Sequence, residues 1–132
     1  MILVDSNILM YAVGAPHPQK QPALDFLEKV ANGEIDAAID AEALQEILHR
    51  YRSLNRWTEG QRVYVLARSL FSDILPITGE LLEHAKELMD AYPALSARDA
   101  IHAAVVRFYK LNSICSFDRD FDGIKGCARI VP

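Results

Sequence analysis

Short apolar runs alternate along the chain with longer segments of helical periodicity, and this alternation constrains the fold more than any other feature. Apolar or extended runs lie at 2–4, 37–39, 74–77, 113–117 and 129–131. Strands that lack polar alternation are typical of a parallel sheet covered on both faces. Strands separated by helices also favour right-handed crossovers. The pattern therefore predicts a three-layer α/β fold, with a parallel sheet of about five strands and helices on both faces.

Helical segments are predicted between these strands. They lie at 6–12, 18–31, the stretch that follows a cap at Asp40, 58–71, 80–92 and 96–109. The last segment begins with the capping-box pattern Ser96-Ala97-Arg98-Asp99 and is apolar on most sides. Because such a helix has little polar surface to present to water, we expect it to lie centrally.

The size and composition of the chain predict one soluble domain over residues 1–132. The chain has 132 residues, of which 51% are hydrophobic and 24% charged, so one core can form but a second cannot. We find no apolar run of membrane-spanning length and no signal-peptide pattern at the start, so we expect a cytoplasmic protein without a membrane partner. The two cysteines form no zinc or disulfide pattern, and we expect both to be buried apolar residues.

Charge is unevenly distributed along the chain. The formal net charge is -4, yet residues 49–72 carry five arginines against Glu59 alone. Tyr51 and Trp57 lie among these arginines, an arrangement that can hold a nucleic-acid backbone while aromatic rings stack on unpaired bases. The same segment can equally be a solvated helix end whose aromatic residues belong to the core or to a dimer interface. Both interpretations stay open at this point.

Three aspartates are predicted to meet at one edge of the sheet. Asp5 ends the first strand, Asp118 follows the fourth strand in the chain, and Asp99 lies in the first turn of the apolar helix. In an open parallel sheet, ligands bind beyond the carboxyl ends of the strands. Carboxylates brought together repel one another unless a proton or a cation intervenes, and an oxygen-only ligand set suits Mg²⁺ or Mn²⁺. Such a site favours phosphoester hydrolysis.

Each of these acids also has a purely structural interpretation. Asp5 could cap the helix that follows it, and Asp99 could be the acidic half of the capping box. Asp118 could belong to an Asp-rich turn with Asp120 and Asp122. Only their joint placement at strand ends favours a functional site.

Glu46 and two histidines are more ambiguous. Helical spacing alone places Glu46 opposite the apolar stripe and one turn before Arg50, which favours an exposed ion pair. His49 and His102 each follow a candidate acid by one turn and could bind a metal, but spacing favours ordinary core or surface histidines.

The chain resembles PIN-domain nucleases, and most closely the small VapC-type toxins of toxin–antitoxin pairs. The resemblance covers nearly the whole length and is carried by the runs LVDSNIL at 3–9, LSARDAIHAA at 95–104 and SFDRDF at 116–121, together with Glu46. The chain departs from the usual pattern at Asp40 and Ser116, where such proteins more often carry Ser or Thr and Thr, respectively. Neither departure removes an acid.

The resemblance implies a catalytic metal site whose residues are Asp5, Glu46, Asp99 and Asp118, with Asn7 and Ser116 as polar supports. Asp5, Asp99 and Asp118 would hold one or two Mg²⁺ or Mn²⁺ ions, and Glu46 would position or deprotonate the attacking water. This assignment overrides the ion-pair interpretation of Glu46. Asp120 or Asp122 could join the site, with Asp120 the stronger candidate.

The function implied by this resemblance is metal-dependent cleavage of single-stranded RNA, which leaves a 3′-hydroxyl and a 5′-phosphate. The expected partners are the RNA substrate, a second copy in a homodimer, and an antitoxin whose C-terminal segment crosses the acidic cleft. Alternatives are a non-catalytic acidic binding module and a PIN nuclease of RNA processing. A phosphotransfer receiver is disfavoured, because Asp5-Ser6-Asn7 lacks the adjacent acids that a receiver carries after its first strand.

Overall fold

A computed structural model describes all 132 residues and shows five strands in one sheet with helices on both faces. The elements are β1 Ile2–Val4, α1 Ser6–Val13, α2 Lys20–Ala31, β2 Ala37–Asp40, α3 Ala41–Ser53, α4 Trp57–Leu70, β3 Ile74–Leu75, α5 Gly79–Ala91, α6 Ala97–Phe108, β4 Ser113–Cys115, a 3₁₀ turn Arg119–Phe121 and β5 Arg129–Ile130. Neighbouring strands are parallel throughout, in the order β3-β2-β1-β4-β5. The predicted α/β fold is confirmed.

The two faces of the sheet carry separate apolar clusters. Successive side chains of a strand point to opposite faces, so Val4 packs with residues of α1 to α4 while Leu3 packs with α5 and α6. Leu3 and Val4 are both fully buried, which explains why β1 has no polar alternation. This short strand therefore anchors both layers of helices.

The apolar helix predicted to be central is α6, and half of its 12 residues are buried. The side chain of Ser96 caps it by accepting a 3.2 Å hydrogen bond from the backbone N–H of Asp99. Ala100, Ala103 and Val105 have no exposed surface. Phe108, near the end of the helix, is 40% exposed, so the helix reaches the surface there.

Several element boundaries differ from the sequence prediction, by two residues at most. The third strand ends at Leu75 rather than at residue 77. The second helix begins at Lys20 rather than at residue 18, and Gln19 occupies its N-cap position. The fourth strand ends at Cys115 rather than at residue 117. The backbone N–H of Ser116 still bonds to the carbonyl of Ile130, but the Ser116 side chain is turned into a polar cluster described below.

The topology places a crevice at the middle of the sheet. From β1 the chain first adds β2 and β3 on one side, and it later adds β4 and β5 on the other. The switch of direction lies between β1 and β4, where open parallel sheets bind ligands beyond the carboxyl ends of their strands. None of the helices combines the length and the hydropathy that crossing a lipid bilayer requires.

Candidate active site

Asp5 lies at the carboxyl end of β1 and is only 5% exposed. Its backbone N–H bonds to the carbonyl of Cys115 and so extends the contact between β1 and β4. Asp5 occupies the N-cap position of α1, yet its side chain accepts no capping hydrogen bond there. Its carboxylate instead accepts a 2.6 Å hydrogen bond from the hydroxyl of Ser116. The interpretation of Asp5 as a simple cap is therefore wrong.

The Ser116 hydroxyl connects the first strand to the loop after β4. It accepts a hydrogen bond from the backbone N–H of Asp118 at 2.9 Å and another from the Asn7 amide at 3.2 Å. Ser116 has no exposed surface, so these bonds do not compete with water. The hydroxyl thus fixes Asp5 and Asp118 relative to each other.

Asp99 and Asp118 lie together with Asp120. One carboxylate oxygen from each of the three lies within 4.8 Å of the others. Burial, together with the negative charges of Asp118 and Asp5, raises the pKa of Asp99 to about 6. Local bonds are present as well: the Ser96 side chain accepts the Asp99 N–H, and Asp118 accepts the Asp120 N–H at 2.8 Å. Capping and turn bonds coexist here with the convergence of the acids.

Asp122 is not part of this convergence. Its two carboxylate oxygens accept hydrogen bonds from Nε and Nη2 of Arg129, at 2.8 and 3.0 Å. The bonds from Arg129 lower the pKa of Asp122 below its ordinary value. Of the two candidates left open by the sequence, only Asp120 lines the cavity that Asp5, Asp99 and Asp118 share.

Glu46 lies at the same site, and the exposed ion pair expected from its spacing is absent. Its side chain is 13% exposed and hydrogen-bonded to Nε2 of His102, and it forms no salt bridge with Arg50. The partner comes from α6 rather than from the next turn of α3. A helical wheel of α3 alone contains no information about this contact.

Sequence patterns favour an ordinary histidine at His102 and only a helix cap at Asp40, yet hydrogen bonds connect both residues to Glu46 at the site. Asp40 caps α3 through a 2.9 Å bond from the Ala43 N–H, as predicted, but its other oxygen lies 2.7 Å from Nδ1 of His102. Burial would lower the pKa of His102, but Asp40, Glu46 and Asp5 outweigh burial and raise it well above its ordinary value. The sequence signal that points to His102 is that it is a lone histidine within a helix that is apolar on most sides.

The acids open into a cavity of about 680 Å³ that also presents arginines. Asp5, Glu46, Asp99, Asp118 and Asp120 all line it. Three arginines line it as well: Arg50, Arg56 and Arg98. The cavity can therefore accommodate a polyanion whose reacting group lies against carboxylates.

The arginine-rich segment combines the two interpretations left open by its sequence. Tyr51 is 7% exposed and belongs to the core, whereas Trp57 is 36% exposed. The guanidinium of Arg52 lies 4.2 Å above the Trp57 ring, in a cation–π contact. Arg50 and Arg56 line the cavity beside the acids.

The ligand set at the cavity fits a hard divalent cation. Carboxylate oxygens are the ligands that Mg²⁺ and Mn²⁺ prefer, and burial with nearby negative charge raises the pKa of both Asp5 and Asp99. A bound cation would relieve the repulsion between these carboxylates. Thiolate ligands are not offered, because both cysteines are buried and burial raises their pKa to about 12 for Cys115 and about 11 for Cys127. The expectation that both are buried residues is confirmed.

Comparison with known proteins agrees with this fold and site. The PIN domain profile matches residues 2–126, and the chain belongs to the PIN domain family. It is 43% identical over 130 residues to Ribonuclease VapC13 of Mycobacterium tuberculosis, covering 98% of this chain and 99% of that protein. It is 36% identical over 118 residues to Ribonuclease VapC23 of the same species, covering 89% and 93%.

Solved structures share the fold at lower sequence identity. The chain is similar to VapBC2 from Rickettsia felis bound to a DNA fragment from their promoter, with a TM-score of 0.78, 16% identity and coverage of 99% and 98%. It is also similar to FitAcB from Neisseria gonorrhoeae, with a TM-score of 0.74, 17% identity and coverage of 98% and 96%. These likenesses support the three-layer fold.

Proposed function

We propose that this chain, as one PIN domain over residues 1–132, is a metal-dependent endoribonuclease that hydrolyses phosphodiester bonds of single-stranded RNA. The observation that carries the proposal is that Asp5, Glu46, Asp99 and Asp118 all line one cavity at the switch point of the sheet. Within that cavity, carboxylate oxygens of Asp5 and Glu46 lie within 4.8 Å of each other, as do those of Asp99 and Asp118. Full-length relatives that are named ribonucleases support the same activity.

Asp5, Asp99 and Asp118 are the residues that would hold Mg²⁺ or Mn²⁺, directly or through water. A bound divalent cation would polarise the phosphodiester and neutralise the charge that develops during in-line attack. The Ser116 hydroxyl holds Asp5 and Asp118 in place for metal binding, because it is hydrogen-bonded to the Asp5 carboxylate and to the Asp118 N–H. Asp120 lies close enough to Asp99 and Asp118 to complete the group.

Glu46 is the residue placed to accept a proton. Its carboxylate lies at the cavity and is not engaged by any arginine, so it can take a proton from the attacking water. The water oxygen forms a bond to phosphorus as the bond to the 3′ oxygen breaks, and that oxygen takes a proton from solvent. The products are a 3′-hydroxyl and a 5′-phosphate.

Arginines at the cavity rim would hold the RNA backbone. Arg50 lies in the last turn of α3, and Arg56 and Arg98 line the same cavity. Arginine suits this task because its planar guanidinium donates in pairs to phosphate oxygens. Contacts of this kind position the strand without reading its sequence.

We further propose that the ribonuclease is the cytoplasmic toxin of a toxin–antitoxin pair and forms a homodimer. The VapC names of its relatives support this role, as do solved structures described as a toxin–antitoxin complex from Klebsiella pneumoniae and as VapBC2. The antitoxin would cover the acidic cavity with its C-terminal segment. Expression of the chain alone should arrest growth, and co-expression of its antitoxin should restore it; a nuclease of RNA processing would produce no such arrest.

The activity is tested by incubating the purified protein with total RNA in the presence of Mn²⁺, Mg²⁺ or a chelator. We expect fragments only with a divalent cation, and end mapping should find 5′-phosphates. Asp99→Asn serves as the inactive control. If Mn²⁺ raises the melting temperature but no RNA is cleaved, the chain is a non-catalytic binding module and the proposed function is wrong.

A further inference from the structure

A line of buried polar groups connects α3 to α6 behind the cavity. Asp40 and His102 have no exposed surface, and they lie 62 residues apart in the chain. Glu46 is the last residue of this line, and it lies at the cavity. The order of contacts is Asp40, then the His102 ring, then Glu46.

The Asp40 end of this line is fixed to the backbone. One carboxylate oxygen of Asp40 accepts the Ala43 N–H at 2.9 Å, and the other lies 2.7 Å from Nδ1 of His102. Ionised carboxylates only accept hydrogen bonds, so Nδ1 is placed as a donor. The ring plane is further limited by Phe121, whose ring centre lies 6.4 Å away. His102 therefore has little freedom to rotate.

The other side of the ring faces the site. Nε2 of His102 is hydrogen-bonded to Oε1 of Glu46 and lies 3.9 Å from Oδ1 of Asp5. No protein group is hydrogen-bonded to Oε2 of Glu46, so that oxygen remains available to a water in the cavity. A free glutamate side chain samples many rotamers, and a single bond to a rigid partner removes most of that freedom.

We propose that His102, anchored by Asp40, is a positioning residue that holds the Glu46 carboxylate in one orientation toward the cavity. The proposal rests on the proposed function, in which Glu46 accepts the proton of the attacking water. Its energetic basis is preorganisation: the carboxylate is oriented before the substrate binds, so orientation costs nothing during the reaction.

If His102 serves only to join α3 to α6, a different experimental result is expected. Buried polar groups can often be exchanged for apolar ones of similar volume with little loss of stability. A structural role therefore affects the folded fraction of the protein, whereas a positioning role lowers the turnover of molecules that are folded. The two roles separate when kcat is measured well below the melting temperature of every variant.

The first experiment compares two amides at position 102. The side-chain nitrogen of asparagine replaces Nδ1 and that of glutamine replaces Nε2, so His102→Asn loses the bond to Glu46 and His102→Gln keeps it. We expect His102→Asn to lower kcat by at least about tenfold, and by no more than the ~10²–10⁴-fold that a positioned general base supplies. KM for a defined RNA should stay unchanged, and His102→Gln should retain more activity. The control is His84→Gln, an exposed histidine on α5.

The second experiment asks whether His102 acts through Glu46. In a Glu46→Gln background the further change His102→Asn should have almost no effect on kcat, because residues that act as a unit are not additive. An equal loss in both backgrounds overturns the proposal, as does a wild-type kcat for His102→Asn. If His102→Asn does not fold, Asp40→Asn replaces it in both backgrounds, because asparagine is as good an N-cap and spares α3.

A third measurement does not depend on activity. Nitrogen-15 spectra of histidine-labelled protein should show both ring N–H groups of His102 protected from exchange, with Glu46→Gln shifting the Nε2 signal and Asp40→Asn the Nδ1 signal. If Glu46→Gln leaves the Nε2 signal unmoved, the positioning proposal is wrong even for an active ribonuclease. If the signals behave as expected but wild-type protein cleaves no RNA, the proposed function fails and only the geometric link survives.

Discussion

The hydroxyl of Ser116 donates a 2.6 Å hydrogen bond to Oδ2 of Asp5, across 111 residues of sequence. The same hydroxyl accepts the Asp118 N–H. One small side chain thus connects two acids that follow different strands. The carboxylate of Asp5 is almost fully buried, so it relies on this donor.

Replacing Ser116 with alanine should therefore lower both stability and activity. We expect the free energy of unfolding to fall by about 1–3 kcal/mol, because a buried carboxylate loses a hydrogen bond. Ser116→Thr should retain the bond and most activity. Urea denaturation and RNA cleavage measure the two effects. Ser69→Ala, at an exposed serine that donates within its own helix, is the control; an equal loss there would contradict the argument.

Asp99→Asn should abolish metal-dependent cleavage while the metal-free protein becomes slightly more stable at pH 7. The pKa of Asp99 is raised to about 6 because burial and neighbouring carboxylates disfavour its charge. Removing that charge should add up to about 1 kcal/mol, after allowance for solvent screening at a half-buried group. Thermal denaturation with chelator and cleavage with Mn²⁺ measure the two outcomes. An Asp5→Asn, Asp99→Asn double variant that cleaves like the wild type would refute the assignment.

The stability of the protein should depend on pH in opposite ways with and without metal. The folded-state pKa of Asp99 is about 6, above its ordinary value of 3.8, so the folded protein binds more protons than the unfolded chain between these values. The penalty of its charge is full above pH 6 and is relieved as pH falls through that range. Metal binding requires the ionised form and weakens over the same range.

This dependence is measured as the shift in melting temperature that Mn²⁺ produces at pH 7 and at pH 5. At pH 7, Mn²⁺ at 100 times its Kd should add about 2.7 kcal/mol of stability, and the same concentration at pH 5 should add much less. Asp99→Asn should show a small shift at both values. Equal stabilisation of the wild type at pH 5 and pH 7 would exclude Asp99 as a ligand.

Asp120 and Asp122 should differ in their effect on metal binding. Asp120 lies with Asp99 and Asp118, whereas Asp122 is paired with Arg129. We expect Asp120→Asn to raise the Kd for Mn²⁺ by at least about tenfold, in the range seen when a group that supports a metal site is removed. Asp122→Asn should leave that Kd unchanged. Isothermal titration gives both values, and the reverse ranking would show that the ion lies elsewhere.

Arg50 should contribute to RNA binding through phosphate contacts. Arg50→Ala should weaken RNA binding in the metal-free protein and reduce the slope of log K against log salt by about 0.7, the amount for one phosphate contact of a single strand. Arg62, an exposed arginine of α4 outside the cavity, is the matched control. Fluorescence anisotropy at several salt concentrations measures both. A similar change in Arg62→Ala would indicate that only net charge matters.

The fold could be predicted from local patterns because each pattern has a local physical cause. Runs such as 2–4 are apolar on every residue because both faces of a parallel strand are covered. The meeting of Asp5 with Asp118 follows from the rule that parallel strands end at one edge. The predicted start of α2 is two residues too early, since a proline at position 18 is compatible with either a loop or a first turn.

The partners of Glu46 could not be predicted from its own helix. Helical spacing gives neighbours within one helix, and the true partner, His102, lies 56 residues away on α6. The sequence predicts Asp40 as a cap, and that role uses only one of its two carboxylate oxygens. The second oxygen is directed by the packing of α3 against α6, a property of the assembled sheet rather than of any short stretch of sequence.

The order of strands also determines when during synthesis the protein can become active. β1 leaves the ribosome before its neighbour β4, which begins only at Ser113, so Asp5 is made well before Ser116 and Asp118. A nascent polypeptide, or a product of premature termination ahead of that strand, lacks Asp118 and the Ser116 hydroxyl. Because the proposed site needs Asp118, a chain that ends before β4 is expected to have no ribonuclease activity.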